Sequence, residues 1–326
     1  YGIPFWATVL ISLALIWSYT FKGGLKTIII TDTLQTLFLV SSVILTIYFI
    51  CDSLDLNIFQ SFETIKNSGY SKVFFYEDFI TSKFHVSKQL LGGIFVTIAM
   101  TGLDQDMMQK NLTCKSLHEA QKDMCTYGFA FVPANLLFLC LGVLMTLLAQ
   151  RQGIAMPASG DDLLPMFAAN GRLGEMVVVL FTIGIVAASF SSADSALTSL
   201  TTSYCVDIRG RADDEQLRKR AHILMALVFI VFILLFRVIN STSLIDAIYI
   251  ICSYTYGPLL GLFAFGLLTK RDVNDRLVPY IAVASPIICF VIDNATFALT
   301  GYKFGYELLM LNGTLTFAGL YFSVKR

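Results

Sequence analysis

Apolar positions come in long runs separated by short polar punctuation. Nine runs reach the roughly 20 mostly apolar residues that a helix needs to cross a bilayer: 3–20, 26–50, 88–109, 123–149, 174–207, 219–238, 242–268, 277–299 and 305–323. No alternating stretch appears, so the pattern predicts an all-α membrane protein of about nine transmembrane helices. Gly23-Gly24, between the first two runs, predicts a tight turn joining antiparallel helices. Two connections are longer. Residues 51–87 are polar with interspersed aromatics, and 150–173 carry Pro157, Gly160, Asp161, Asp162, Pro165 and Gly171.

Two runs read as interrupted. In 88–109 the apolar stretch stops at Thr101-Gly102 and LDQDMMQ follows. In 242–268, Tyr256-Gly257-Pro258 breaks the ladder, because Pro258 brings no N–H and its ring crowds the preceding turn. Helices broken at corresponding places point to a transporter binding site; for Gly-Pro a plain kink is an equal alternative.

Composition supports the membrane reading. Charged residues make up 14 % of the chain, against ~25 % in soluble domains. Zero net charge gives no case for nucleic acid. The seven cysteines contain no C-x-x-C pair and read as small hydrophobes. His85, His118 and His222 are the only histidines, none at metal-ligand spacing with another candidate, which argues against an enzyme. Most Lys and Arg fall on alternate connections, which predicts a multi-pass protein of the plasma membrane with a cytoplasmic C-terminus. The sequons at Asn111, Asn240, Asn294 and Asn312 lie mostly in or near membrane segments and are expected to be fortuitous. The chain opens on Tyr1 with no charged leader and is expected to be a fragment lacking N-terminal helices.

Three motifs carry chemistry. In Thr182 to Ile208, TIGIVAASFSSADSALTSLTTSYCVDI, residues Ala188, Ser191, Ser192 and Ser195 recur at i, i+3, i+4 and i+7 and share one helix face. A polar stripe at membrane depth faces protein, water or an ion, and oxygen donors suit a hard cation such as sodium. Small-residue helix packing explains the stripe equally well when it is taken alone. Asp32 sits in Thr31-Asp32-Thr33-Leu34-Gln35-Thr36, about two turns into its helix. A buried carboxylate there needs a pair or a cation, although neighbouring hydroxyls could also cap it. In Thr101-Gly102-Leu103-Asp104-Gln105-Asp106 an unwound backbone at Thr101-Gly102 would offer carbonyls and amides to a solute, with Gln105 as donor and acceptor. Asp104 and Asp106 read alternatively as the solvated end of the helix.

Together these motifs resemble the sodium:solute symporter family over essentially the whole chain. The Y-T-x-x-G-G-L turn, with Thr27 where the family usually has Ser, Ala or Pro, is similar to half of a family signature. T-D-x-x-Q follows on the next helix. D-Q-x-x-x-Q-K is similar to the family's N-Q-x-x-x-Q-R. A-x-x-S-S-A-D-S, preceded by Asp162, Pro165 and Gly174, is the most specific element.

The resemblance implies a single transmembrane transporter domain over 1–326 with a partial inverted-repeat, leucine-transporter-like bundle. Residues 1–50 would be the remnant of the first repeat, 88–268 the second repeat and 277–326 peripheral helices, with the first core helices missing. It implies a sodium ion held by the Ala188 carbonyl and the Ser191 and Ser192 hydroxyls, with Asp32 contributing. It further implies a small solute (sugar, amino acid or carboxylate) beside Met100, Thr101 and Gln105, with Tyr249 and Ser253 from 242–268. Asp104, where the sugar transporters carry asparagine, and Met100, where an aromatic gate is expected, depart from them. The implied activity is sodium-coupled import by alternating access. The alternatives are proton coupling through Asp32, or a solute-sensing membrane domain of the same fold.

Overall fold

All nine apolar runs are helical in the computed structural model, which describes residues 3–169, 175–239 and 244–323. Gly171, Arg172, Gly174, Asn240, Lys325 and Arg326 lie outside these residues, as do the side chains of 21–28. Among the described residues, six helices are long and apolar enough to span a membrane, or seven with one bent pair. Two further apolar helices, Phe5–Ser18 and Leu308–Phe322, are shorter. No strand occurs among the described residues. The chain divides into two compact units.

The first unit holds α1 (Phe5–Ser53), α2 (Ile58–Asn67), α5 (Leu117–Arg151), α6 (Leu163–Ala169), α7 (Glu175–Ser203) and α8 (Glu215–Ile239). Ile50, Leu148 and Phe167 are wholly buried in a cluster joining α1, α5 and α6. Asn57 and Gln60 form a capping box at the start of α2, and Arg151 closes the end of α5 by donating to the Leu54 carbonyl and the Asp55 carboxylate.

The Gly23-Gly24 turn requires a correction. The helical backbone runs without a break from Phe5 to Ser53. The packing nonetheless changes sense along it. Val9, Leu13 and Ile16 share a cluster with Phe190, Ala193 and Leu197, and Thr20 shares His222 with Thr201, so both helices ascend together. Further on, Asp32 meets Ser191, and Ser42 lies against Gly184, so here the numbers run oppositely. The two ends of α1 therefore meet α7 in opposite senses. His222 ties the first half to α7: Nε2 is 3.0 Å from Thr20 Oγ1 and Nδ1 is 3.1 Å from Thr201 Oγ1. Both hydroxyls also donate to a carbonyl of their own helix. A neutral ring has a single N–H, so one threonine must turn its proton toward the ring.

The second unit holds α3 (Val86–Gly102), α9 (Leu244–Leu268), α10 (Val278–Thr300) and α11 (Leu308–Phe322), with the first half of α4 (Gln105–Leu112), whose second half belongs to the first unit. The expected interruption at Tyr256-Gly257-Pro258 is absent: α9 is continuous with Pro258 inside it. Pro258 cannot supply the N–H that the Tyr254 carbonyl needs. Asn312 on α11, fully buried, supplies one instead: its Nδ2 lies 3.0 Å from the carbonyls of both Ser253 and Tyr254. Its Oδ1 accepts from Ser285 on α10 at 2.7 Å. The same burial takes the Asn312 sequon out of reach. Gly257 and Gly261 allow this approach. A Cβ on Gly257 would strike the Asn312 side chain, and one on Gly261 would sit 2.6 Å from Thr316 Cβ. This is small-residue packing of membrane helices with an amide at its centre.

Asn312→Leu leaves the Tyr254 carbonyl without its donor and the Ser285 hydroxyl with Thr316 alone. It is expected to destabilise the protein by about 2–4 kcal/mol, read as a lower thermal midpoint of the purified full-length protein. Gly257→Val, which strikes the same amide, should lower it as well.

Candidate functional site

The polar stripe on α7 divides into two parts. Ser191 is half-buried and its hydroxyl donates to Asp32 Oδ1 at 2.7 Å. Ala188 is half-buried and Ser192 exposed. Ser195 and Ser199, on the buried side, have hydroxyls with no hydrogen-bond partner among the described residues.

Asp32 is held from both sides. Its second carboxylate oxygen lies 3.0 Å from Lys110 Nζ. The Asp32 side chain is only 18 % exposed, so this carboxylate is partly desolvated and needs its partners. One turn on, Gln35 Oε1 is buried with no hydrogen-bond partner among the described residues. The first unit thus assembles a carboxylate, serine oxygens and an amide oxygen. Among its described residues no group of three His, Cys, Asp or Glu could hold a metal. The donor set is entirely oxygen, which suits a hard monovalent cation, and its one carboxylate charge is shared with Lys110. Ser191 uses its proton on Asp32, and its lone pairs stay available. The residues present fit the sodium ion that the sequence implies.

The break in 88–109 lies one residue beyond its expected place. α3 ends at Gly102, α4 starts at Gln105, and the two are bent by 59°. Asp104 makes the break tolerable. Its Oδ1 accepts from the N–H groups of Asp106 at 2.9 Å and Met107 at 3.4 Å, satisfying the exposed start of α4. Its Oδ2 accepts from the Tyr256 hydroxyl on α9 at 2.7 Å. Asp104 is therefore a cap and a tether, where the sequence also allowed a merely solvated end. A groove of about 610 Å³ opens here, bordered by Asp104, Gln105, Met108, Tyr256 and Phe263.

The five predicted solute residues are dispersed. Gln105 borders the groove. Met100 and Tyr249 pack against the apolar cluster of Val96, Ala99 and Leu309. Thr101 is half-buried beside the break. Ser253 is 2 % exposed, and its hydroxyl donates to the Tyr249 carbonyl. Sequence reading missed Lys110 and Tyr256. Lys110 closes the D-Q-x-x-x-Q-K motif, but its meeting with Asp32 lies across the fold; no local signal marks Tyr256.

Asp104→Ala removes the cap and the tether and should cost about 1–2 kcal/mol of stability. Asp104→Asn, which can still cap and accept from Tyr256, should stay close to wild type in a thermal-unfolding comparison.

The sodium:solute symporter family model matches residues 1–276. The sodium/sialic acid symporter SiaT of Proteus mirabilis is 26 % identical over 284 residues, which cover 81 % of this chain and 55 % of that protein. The sodium/glucose cotransporter 1 of Oryctolagus cuniculus is 24 % identical over 315 residues, covering 84 % of this chain and 47 % of the relative. The chain thus spans about half the length of the curated relatives it matches. The solved substrate-bound outward-open state of a Na+-coupled sialic acid symporter superposes with a TM-score of 0.75 at 20 % identity, covering 99 % of this chain and 68 % of that one. The motif order, the helical bundle and the family match over residues 1–276 agree: this chain belongs to the sodium:solute symporter family.

Proposed function

We propose that the protein carrying this chain is a sodium-coupled symporter that imports a small organic solute by alternating access. The observation that carries the reading is Asp32, a partly desolvated carboxylate held between Ser191 and Lys110. Sodium would be held by the Ala188 carbonyl, the Ser191 and Ser192 hydroxyls and Asp32. Lys110 already places one positive charge at that carboxylate, so an arriving sodium competes with a tethered ammonium. That competition keeps the affinity moderate, as a site that must also release its ion requires.

Sodium shifts the conformational balance only by its differential affinity for the two states, and the membrane potential adds ~2.3 kcal/mol per charge per 100 mV.

The solute groove is assigned to the break, with Gln105 as its polar contact and Met100, Thr101, Tyr249 and Ser253 shaping its surroundings. The relatives' solutes, sialic acid and glucose, define the first compounds to screen. Asp104 puts negative charge at the break, which ranks neutral sugars and zwitterionic amino acids ahead of anionic solutes such as sialic acid. Residues 1–50 are read as the end of the first repeat, 88–268 as the second repeat and 277–326 as peripheral helices. The protein is placed in the plasma membrane with a cytoplasmic C-terminus.

The test is sodium-driven uptake by the full-length protein in vesicles, using the solute that gives the largest thermal shift in sodium. Ser192→Ala should raise the sodium concentration for half-activation about ten-fold without loss of expression. Lys110→Gln should shift that concentration at least as strongly relative to its effect on solute affinity. Sodium activation unchanged in both variants refutes the site. Uptake that survives sodium removal but collapses with an uncoupler transfers the role of Asp32 to proton coupling.

A further inference from the structure

The second unit contains a cavity of about 370 Å³ that shares no residue with the sodium-site assignment. α9 and α10 form its walls, and the segment before α11 closes one end. Of the predicted solute residues only Ser253 borders it, with its hydroxyl already engaged on its own helix.

The charges around it are not equivalent. Lys83 and Asp246 satisfy each other at 2.7 Å. Asp293 on α10 accepts only a long 3.3 Å hydrogen bond from Tyr254, and Lys303 stands exposed at the rim. Among the described residues neither Asp293 nor Lys303 forms an ion pair. A carboxylate within an apolar helix is costly unless a cation answers it, and Lys303 lines the same cavity. The remaining lining is largely apolar, with Ile250, Phe297 and Leu308 prominent.

The rim is built, not loose. Lys88, 2 % exposed, donates to the Lys303 carbonyl at 2.8 Å and lies 3.9 Å from the centre of the Tyr302 ring. The Lys303 N–H donates to the Ile80 carbonyl. Tyr302 donates to Glu307 at 3.1 Å; burial, with that carboxylate beside it, pushes the Tyr302 phenol up to about 12 and keeps it a donor. The backbone carrying Lys303 is thus fixed from both sides, and Glu307 is engaged by a neighbour.

We propose that this cavity is a second solute site that takes a small zwitterion, an α-amino acid with an apolar side chain. Its ammonium answers Asp293, its carboxylate answers Lys303, and its side chain lies against Ile250 and Phe297. The site is within the size range of small-molecule pockets, and it stands whether or not the protein couples to sodium.

The test is equilibrium binding of tritiated L-valine to the full-length protein in lipid nanodiscs. Saturable binding is expected, weakened at least ten-fold by Asp293→Asn and by Lys303→Gln. L-valinamide, which lacks the carboxylate, and N-acetyl-L-valine, which lacks the ammonium, should each compete at least ten-fold more weakly than L-valine. Ile250→Trp, which fills the cavity and leaves every charge in place, should abolish binding while thermal unfolding stays cooperative. It keeps the test decisive if a charge variant fails to fold. Absence of saturable binding overturns the proposal. So does binding that survives Ile250→Trp, which would put the valine elsewhere, or valinamide competing as well as valine, which would make this a site for cations.

Discussion

A backbone carbonyl or amide without a partner is costly in apolar surroundings, and this constraint governs the whole arrangement. At three places where the backbone is irregular, a side chain supplies the missing partner. Asp104 takes the amides exposed where α3 gives way to α4. Asn312 takes the carbonyl that Pro258 leaves bare. Lys88 reaches the carbonyls of Lys303 and Ile80, where no helix provides donors. Polar residues that look misplaced in so hydrophobic a chain are the ones that make its irregular backbone tolerable.

Much of the architecture was legible because helix periodicity and run length are local properties. The nine apolar runs, the break after Thr101-Gly102 and the shared face of Ser191 and Ser195 all follow from spacing alone. What stayed hidden depends on distant partners. Pro258 signals a break when read with its neighbours, whereas the helix continues and Asn312, 58 residues from Tyr254, supplies the donor that the proline lacks. A turn at Gly23-Gly24 was foreseen, but not that helical backbone would carry through it. In the site, Asp32 and Ser191 stood out as polar groups in apolar runs. Lys110 sits at the end of a polar stretch, where a lysine is ordinary, and its pairing with Asp32 spans most of a hundred residues of chain.

On the proposed reading, Lys110 changes the thermodynamics of the cation site. A carboxylate facing an empty cavity would pull strongly on any ion. One already neighboured by an ammonium pulls only by the difference between the two cations, and that difference is small enough to be reversed by a change of conformation. Ser191 donates its proton to Asp32 and has lone pairs left to offer. Selectivity then rests on geometry and number of oxygens rather than on net charge.

Asn312 acts on α9 as a splint acts on a bone with a healed fracture. The proline leaves a place where the helix could flex, and the amide on the neighbouring helix decides how freely it does. Stiffness at that point is therefore not a property of α9 at all. A single substitution on α11 could retune it, leaving the helix's own sequence and its lining residues unchanged.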